Sequence, residues 1–185
     1  MSNENSAAKQ PLSFMPVVVL VTICVVAGIL LGLVHQVTAP LAAAQVEAKA
    51  QATYAALVPE AASFEELETS VEGCTAALRA VDGSGNAVGY VIVAQSKGYG
   101  GQVPIAVAFS PDGEVTSITA MSNSETPGLG SRIAEESYIG QYVGKPATAL
   151  DASEVDLISG ATISSKAALS AFNIATTVFE EVQNG

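Results

Sequence analysis

The stretch "YVIVAQSKGYGGQVPIAVAFSPDGEVTSITAM", Tyr90 to Met121, decides the fold. Tyr90 to Gln95 is rich in β-formers, and "KGYGG", Lys97 to Gly101, breaks that run. Val103 to Phe109 and Val115 to Met121 are two further strand-like runs. Between them "SPDGE" places Pro111-Asp112-Gly113 where a tight reversal needs a fixed φ and then a free one. Upstream, Ala76 to Val81 reads as another strand, and "DGSGNAVG", Asp82 to Gly89, supplies turn chemistry, so the two flanking runs form a hairpin. Four consecutive strands joined by short turns argue for an antiparallel sheet.

Helices flank these strands. From about Lys166 to Gln183, residues Ala168, Phe172, Ala175, Phe179 and Val182 fall on one face at helical spacing, a stripe that packs on a core. Leu41 to Leu57 is alanine-rich, with Leu41, Ala44, Ala48, Ala52 and Ala55 on one face, and Val58-Pro59 stops it. Ala61 to Glu72 is acidic and fits neither period. A run of strands with helices at its ends gives an α+β fold.

Further upstream, no charge occurs from Pro11 to Val34. Val17 to Val34 alone reaches about 27 Å as a helix, close to the ~30 Å hydrocarbon core of a bilayer. "LAAAQ", Leu41 to Gln45, offers small residues for signal cleavage. The apolar run exceeds a usual signal core, which favours a retained anchor. Pro40 marks its exit. Lys9 and the amino terminus precede the segment, and His35 and then nothing basic until Lys49 follow it, so the positive-inside rule puts the N-terminus inside and the domain outside.

The 185-residue chain has a formal net charge of −11. From His35 onward, 17 Asp and Glu stand against 6 Lys and Arg. A body this acidic does not bind nucleic acid through its phosphates, and any phosphate site in it must be organised locally. Cys24 and Cys74 are the two cysteines. One lies in the apolar segment, and no Cys/His cluster has metal-ligand spacing, so neither an internal disulfide nor a metal site is expected.

Two loops stand apart. "SNSETPGLGSR", Ser122 to Arg132, carries Pro127, Gly128 and Gly130, so its backbone turns sharply and can be approached closely. By itself it is a Pro-Gly turn before a short helix. "VDLISGATISSKAALSAFN", Val155 to Asn173, places Ser159, Gly160, Ala161, Thr162, Ser164 and Ser165 against the predicted start of the last helix. Ser164 or Ser165 can serve as an N-cap with no ligand at all. The same start can hold a phosphate, because free N–H groups and the positive end of the helix dipole attract anions. Lys166 then adds a cation beside it. The local sequence leaves both readings open.

In chain order, "GYVIVAQSKGYGG", "SETPGLGSRI", "YIGQYVGK" and "DLISGATISS" closely resemble one known domain. It is the FMN-binding domain shared by the G subunit of the Rnf electron-transport complex and the C subunit of the sodium-pumping NADH:quinone reductase. The resemblance covers Gly89 to Asn173, and the single N-terminal span matches too. It implies that Thr162, in Asp156-Leu157-Ile158-Ser159-Gly160-Ala161-Thr162, is esterified to the phosphate of one FMN by a dedicated flavin transferase. The chain divides accordingly into a cytoplasmic tail at 1–16, a transmembrane helix at 17–36, a helical and acidic connector at 37–72 and the FMN-binding domain at 73–185.

The family often carries a histidine two residues before the glutamate of Glu-Thr-Pro-Gly-Leu-Gly, where this chain has Asn123. No role of that histidine carries over, although Asn still forms hydrogen bonds. Ile163-Ser164-Ser165 stands where Ile-Thr-Ser is common, which keeps the hydroxyl. The loop Glu125, Thr126, Pro127, Gly128, Leu129 and Gly130 is expected near the isoalloxazine. Tyr99 either borders that pocket or stands as an exposed loop tyrosine.

No convergent acid, base and nucleophile set is present, which favours an electron relay over an enzyme acting alone. The resemblance implies a membrane-anchored component, in the cell (inner) membrane with the FMN domain outside. It would work beside integral-membrane and redox partners that carry electrons between ferredoxin and NAD(H), coupled to Na⁺ or H⁺ movement. The compact run between "YVGK" and "DLISGAT" favours the Rnf relative over the quinone-reductase one. A free-standing outside flavoprotein is the other alternative.

Overall fold

The computed structural model describes residues 14–184. The tail at 1–16, including Lys9, lies almost entirely outside them. The chain divides into two compact units, Met1–Lys49 and Ala50–Gly185. The helix α1, Met15–Leu57, includes Met15–Gln36, 22 residues long and apolar enough to cross a membrane, with a mean hydropathy of 3.1. The expected helix at 41–57 is the later part of this element, which continues through Pro40.

The second unit is built on one antiparallel sheet in sequence order: β1, Ser63–Glu66; β2, Cys74–Val81; β3, Ala87–Lys97; β4, Gln102–Phe109; and β5, Val115–Ala120. Register is set by the alternation of apolar side chains. Ile92, Ala94, Val103, Ile105, Val107 and Phe109 bury one face of the sheet against α3, Thr162–Asn184. Val91, Val93, Ala106 and Ala108 bury the other with Tyr54, Leu57 and Val58. The stripe Ala168, Phe172, Ala175 and Phe179 is core, at most 3% exposed. Its last aromatic ring lies 4.7 Å from Phe109, centroid to centroid.

β1 lies in the acidic stretch that fits neither period. "SFEE" has little apolar signal, and it pairs through its backbone with β2, setting Glu65 opposite Arg79. The last helix starts at Thr162, four residues before the expected Lys166. Between the sheet and that helix run three short helical turns: a 3₁₀ turn at Gly130–Ala134; α2, Glu136–Ile139; and a second 3₁₀ turn at Gly140–Tyr142. In this antiparallel order the end of β3, the start of β4 and the end of β5 lie at one end of the sheet. The "KGYGG" and "SNSETPGLG" loops therefore emerge side by side.

Candidate functional site: the cleft at the start of the last helix

Gly160, at φ +82°, turns the chain into α3. The Ala161 carbonyl accepts the first helical bond, from the Ser165 N–H at 2.9 Å. Ala161 is thus the residue flanking the helix, and it has no side-chain oxygen to cap with. Among the described residues, the N–H groups of Thr162, Ile163 and Ser164 have no acceptor in the chain. Such a terminus carries a partial positive charge and three donors in search of an anion. The Thr162 side chain is exposed beside them.

Capping by Ser164 or Ser165 is not what the structure shows. The helix begins early enough to place both hydroxyls inside its first turn, where other partners are nearer. Ser165 is fully buried; its Oγ donates to the Ala161 carbonyl at 3.0 Å and accepts the Ile158 N–H at 3.1 Å. Ser164 turns the other way, and its Oγ donates to Glu125 Oε2 at 2.5 Å.

A cleft of about 540 Å³ opens at this terminus. Gly160, Ala161, Thr162, Ile163 and Ser164 form one wall; Glu125, Thr126, Leu129, Gly130 and Tyr99 form the other. Nine residues named from the sequence thus meet around one space, and Ile163 joins them. Ile163 is apolar yet 56% exposed, as are Tyr99 at 74% and Leu129 at 43%. Apart from Val143, these are the large hydrophobics exposed in the second unit among the described residues. Only its exposure marks Ile163 as a wall residue, and exposure leaves no signal in the local sequence.

Five expected residues do not line the cleft. Ser159 is exposed before the turn, and Ser165 is sealed into the core. Pro127 and Gly128 form the outer bend of their loop, where Gly128 has φ +75° and its N–H donates to Ser131 Oγ at 2.9 Å. Lys166 is exposed and makes no ion pair among the described residues. It follows Thr162 by four residues, so helical spacing sets it one turn above on the same side.

Glu125 is the least ordinary member, a carboxylate only 5% exposed. The Gly100 N–H donates to its Oε1 at 2.9 Å, and Ser164 Oγ bonds its other oxygen. Asn123 prepares it: its Oδ1 accepts the Glu125 N–H at 3.1 Å, and its Nδ2 donates to the Met121 carbonyl at 3.0 Å. Glycines make the room. A Cβ on Gly98 would collide with Glu125 Oε1, and one on Gly100 with the Ser124 carbonyl. On Gly130 it would stand 2.5 Å from Glu125 Oε2. Gly98 and Gly100 of "KGYGG" thus form a receptacle, which their breaker role in the sequence does not reveal.

Behind the cleft, "YIGQYVGK" holds the helix start. Tyr138 Oη donates to the Ser165 carbonyl at 2.8 Å and meets Tyr142 Oη at 3.1 Å. Burial pushes both phenols above their usual range; the Tyr138 hydrogen bond adds to the rise at Tyr142, whereas its own bonds oppose it at Tyr138. Gln141 Oε1 accepts the Asp156 N–H at 2.7 Å. Asn173 pairs with both backbone groups of Leu150 at 2.9 Å. The segment leading into Gly160 is therefore fixed at two points before it turns.

Comparison with known proteins agrees with this geometry. The FMN-binding domain family model matches residues 98–177, which spans both walls of the cleft. The G subunit of the ion-translocating oxidoreductase complex of Methanosarcina acetivorans is 38% identical over 170 residues, covering 86% of this chain and 90% of that one. The G subunit of the proton-translocating ferredoxin:NAD(+) oxidoreductase complex of Clostridium ljungdahlii is 34% identical over 152 residues, covering 78% and 79%. Among solved structures, the Shewanella oneidensis NqrC shares the fold, with a TM-score of 0.50 and 18% identity over 69% of this chain and 72% of that one. With relatives this similar along most of both chains, and the matched region enclosing the cleft, the protein belongs to the G-subunit family of the ion-translocating oxidoreductase complexes.

Proposed function

We propose that the chain is a membrane-anchored electron-transfer subunit of an Rnf-type ferredoxin:NAD⁺ oxidoreductase complex, carrying one FMN joined to Thr162 by a phosphoester. The observation that carries this reading is the coincidence of an exposed Thr162 hydroxyl with three unsatisfied N–H groups at the mouth of a cleft. A phosphodiester on that hydroxyl keeps one negative charge. The free N–H groups and the helix dipole favour it, by about 0.3–1 kcal/mol for an exposed charge. In a chain of net charge −11 this local arrangement has to offset the long-range repulsion.

The cleft volume falls within the ~300–1,000 Å³ typical of cofactor sites. Its apolar rim of Tyr99, Leu129 and Ile163 suits a flat aromatic ring system, while Thr126 and the Gly130 backbone offer polar contacts. When bound, FMN supplies one- and two-electron chemistry. The chain itself binds and orients the group, keeps water from one side of it and anchors it near its partners. Met15–Gln36 supplies the membrane span, with the domain on the extracytoplasmic side. There a covalent tether prevents loss of a flavin that is not resupplied. A flavin transferase performs the attachment, and the remaining membrane and redox components of the complex are the electron partners. The 38% identity to a G subunit, against 18% to an NqrC, supports this assignment over the quinone-reductase alternative.

The test is co-expression of the full chain with the transferase, FAD and Mg²⁺. The wild-type band should fluoresce as flavin after denaturing electrophoresis, and Thr162→Ala should be dark. A fluorescent Thr162→Ala band would refute the attachment site.

A further inference from the structure

We propose that Glu125 is a positioning residue: its buried carboxylate latches the β3–β4 loop to the first turn of α3 and so presents Thr162 for modification. The inference rests on the Thr162 reading above, but the latch itself is a property of the chain without its cofactor. Glu125 lines the cleft, in the loop expected near the isoalloxazine. Its two oxygens are engaged within the chain, one with the Gly100 N–H and one with Ser164 Oγ. Both partners are donors, and each carboxylate oxygen serves as an acceptor.

The two bonds bridge 25 and 39 residues of sequence, so one side chain joins three segments that nothing else polar connects among the described residues: Gly98–Gly101, Ser124–Gly130 and Thr162–Ser164. Gly98, Gly100 and Gly130 leave just the space that the carboxylate and its loop need. Ser164 is two residues beyond Thr162, and its backbone N–H is one of the three unsatisfied donors. Holding its side chain fixes the direction of those donors. An aspartate would fall one methylene short of both partners. A glutamine still reaches them, its carbonyl accepting from Gly100 and its amide donating to Ser164 Oγ.

The experiment uses the full chain in detergent, with wild type, Glu125→Gln, Glu125→Ala and Ser164→Ala side by side. Hydrogen exchange is read on the flavin-free protein, and the rate of FMN incorporation is read by intact mass under limiting transferase. Loss of both carboxylate hydrogen bonds should slow incorporation by about tenfold or more in Glu125→Ala. Faster exchange should be confined to Gly98–Gly101 and Thr162–Lys166. Ser164→Ala, which removes one arm and is the safer variant to fold, should slow incorporation less, and Glu125→Gln should stay near wild type.

Incorporation at the wild-type rate in Glu125→Ala would overturn the latch, as would Glu125→Gln failing as badly as alanine. A global rise in exchange across the sheet would also overturn it, by making Glu125 a general stability residue. If wild type gains no FMN on Thr162, the attachment reading falls, while the exchange pattern still judges the latch.

Discussion

The two turns that flank β4 look alike in sequence and do different work. "SPDGE" reverses the chain between β4 and β5 with local means. Gly113 takes φ +84°, its N–H donates to the Ser110 carbonyl at 3.0 Å, and the Glu114 N–H donates to Ser110 Oγ at 3.1 Å. "KGYGG" reverses the chain between β3 and β4, closed by the Gly98 N–H to the Gly101 carbonyl at 2.7 Å. None of its glycines has a positive φ. Gly98 and Gly100 are glycines because Glu125 and Ser124 occupy the space where side chains would be. One turn uses glycine for backbone freedom, the other for close approach. The first serves the fold; the second shapes the cleft.

Substitution of those glycines should therefore separate the two roles. The largest effect is expected for Gly100→Ala, whose Cβ meets a backbone carbonyl that cannot swing aside. It should cost about 3 kcal/mol of stability by thermal melting and also suppress FMN incorporation. Gly113→Ala forces a side chain into a left-handed φ and brings a Cβ to 3.2 Å from Phe179 Cε1. A loss of about 1–2 kcal/mol is expected, with incorporation at the wild-type rate in the folded fraction. Equal loss of incorporation in the two variants would erase the distinction between the turns.

The same contrast explains what can be read from sequence. The strands flanking both turns announce themselves as continuous β-rich apolar runs, because one face meets α3 and the other meets Tyr54, Leu57 and Val58. β1 stays hidden because Ser63–Glu66 offers one apolar side chain, Phe64 against Tyr54, and is otherwise held by backbone pairing to β2. Thr162, Gly160 and the Glu125–Gly130 loop are visible as motifs. The start of α3 is harder to place because hydroxyls look like caps, and only Glu125 and Ala161 in space show that Ser164 and Ser165 bond elsewhere. Gly98 and Gly100 give no hint of their partner, since a contact across 25 residues leaves no local pattern.

Two smaller effects sharpen the picture behind the cleft. Tyr138 and Tyr142 have folded pKa values raised by burial, so their contribution to stability is present below the unfolded value and lost as pH rises through the folded one. Thermal stability should fall above about pH 10, and Tyr142→Phe should flatten that fall while leaving the acid side unchanged. Lys166→Gln removes the cation one turn above Thr162 at an exposed position. Incorporation should slow by no more than a few-fold, about 0.3–1 kcal/mol, and the effect should vanish at high salt.

The central claim is that the hydroxyl beside the free helix terminus, and no neighbouring one, carries the cofactor. Proteolysis of the co-expressed wild-type chain and fragmentation of the peptide containing Ser159 to Lys166 tests it directly. The expected result is one added FMN, with the fragment masses placing it on Thr162. An FMN located on Ser159, Ser164 or Ser165, or a peptide with no added mass, would contradict it.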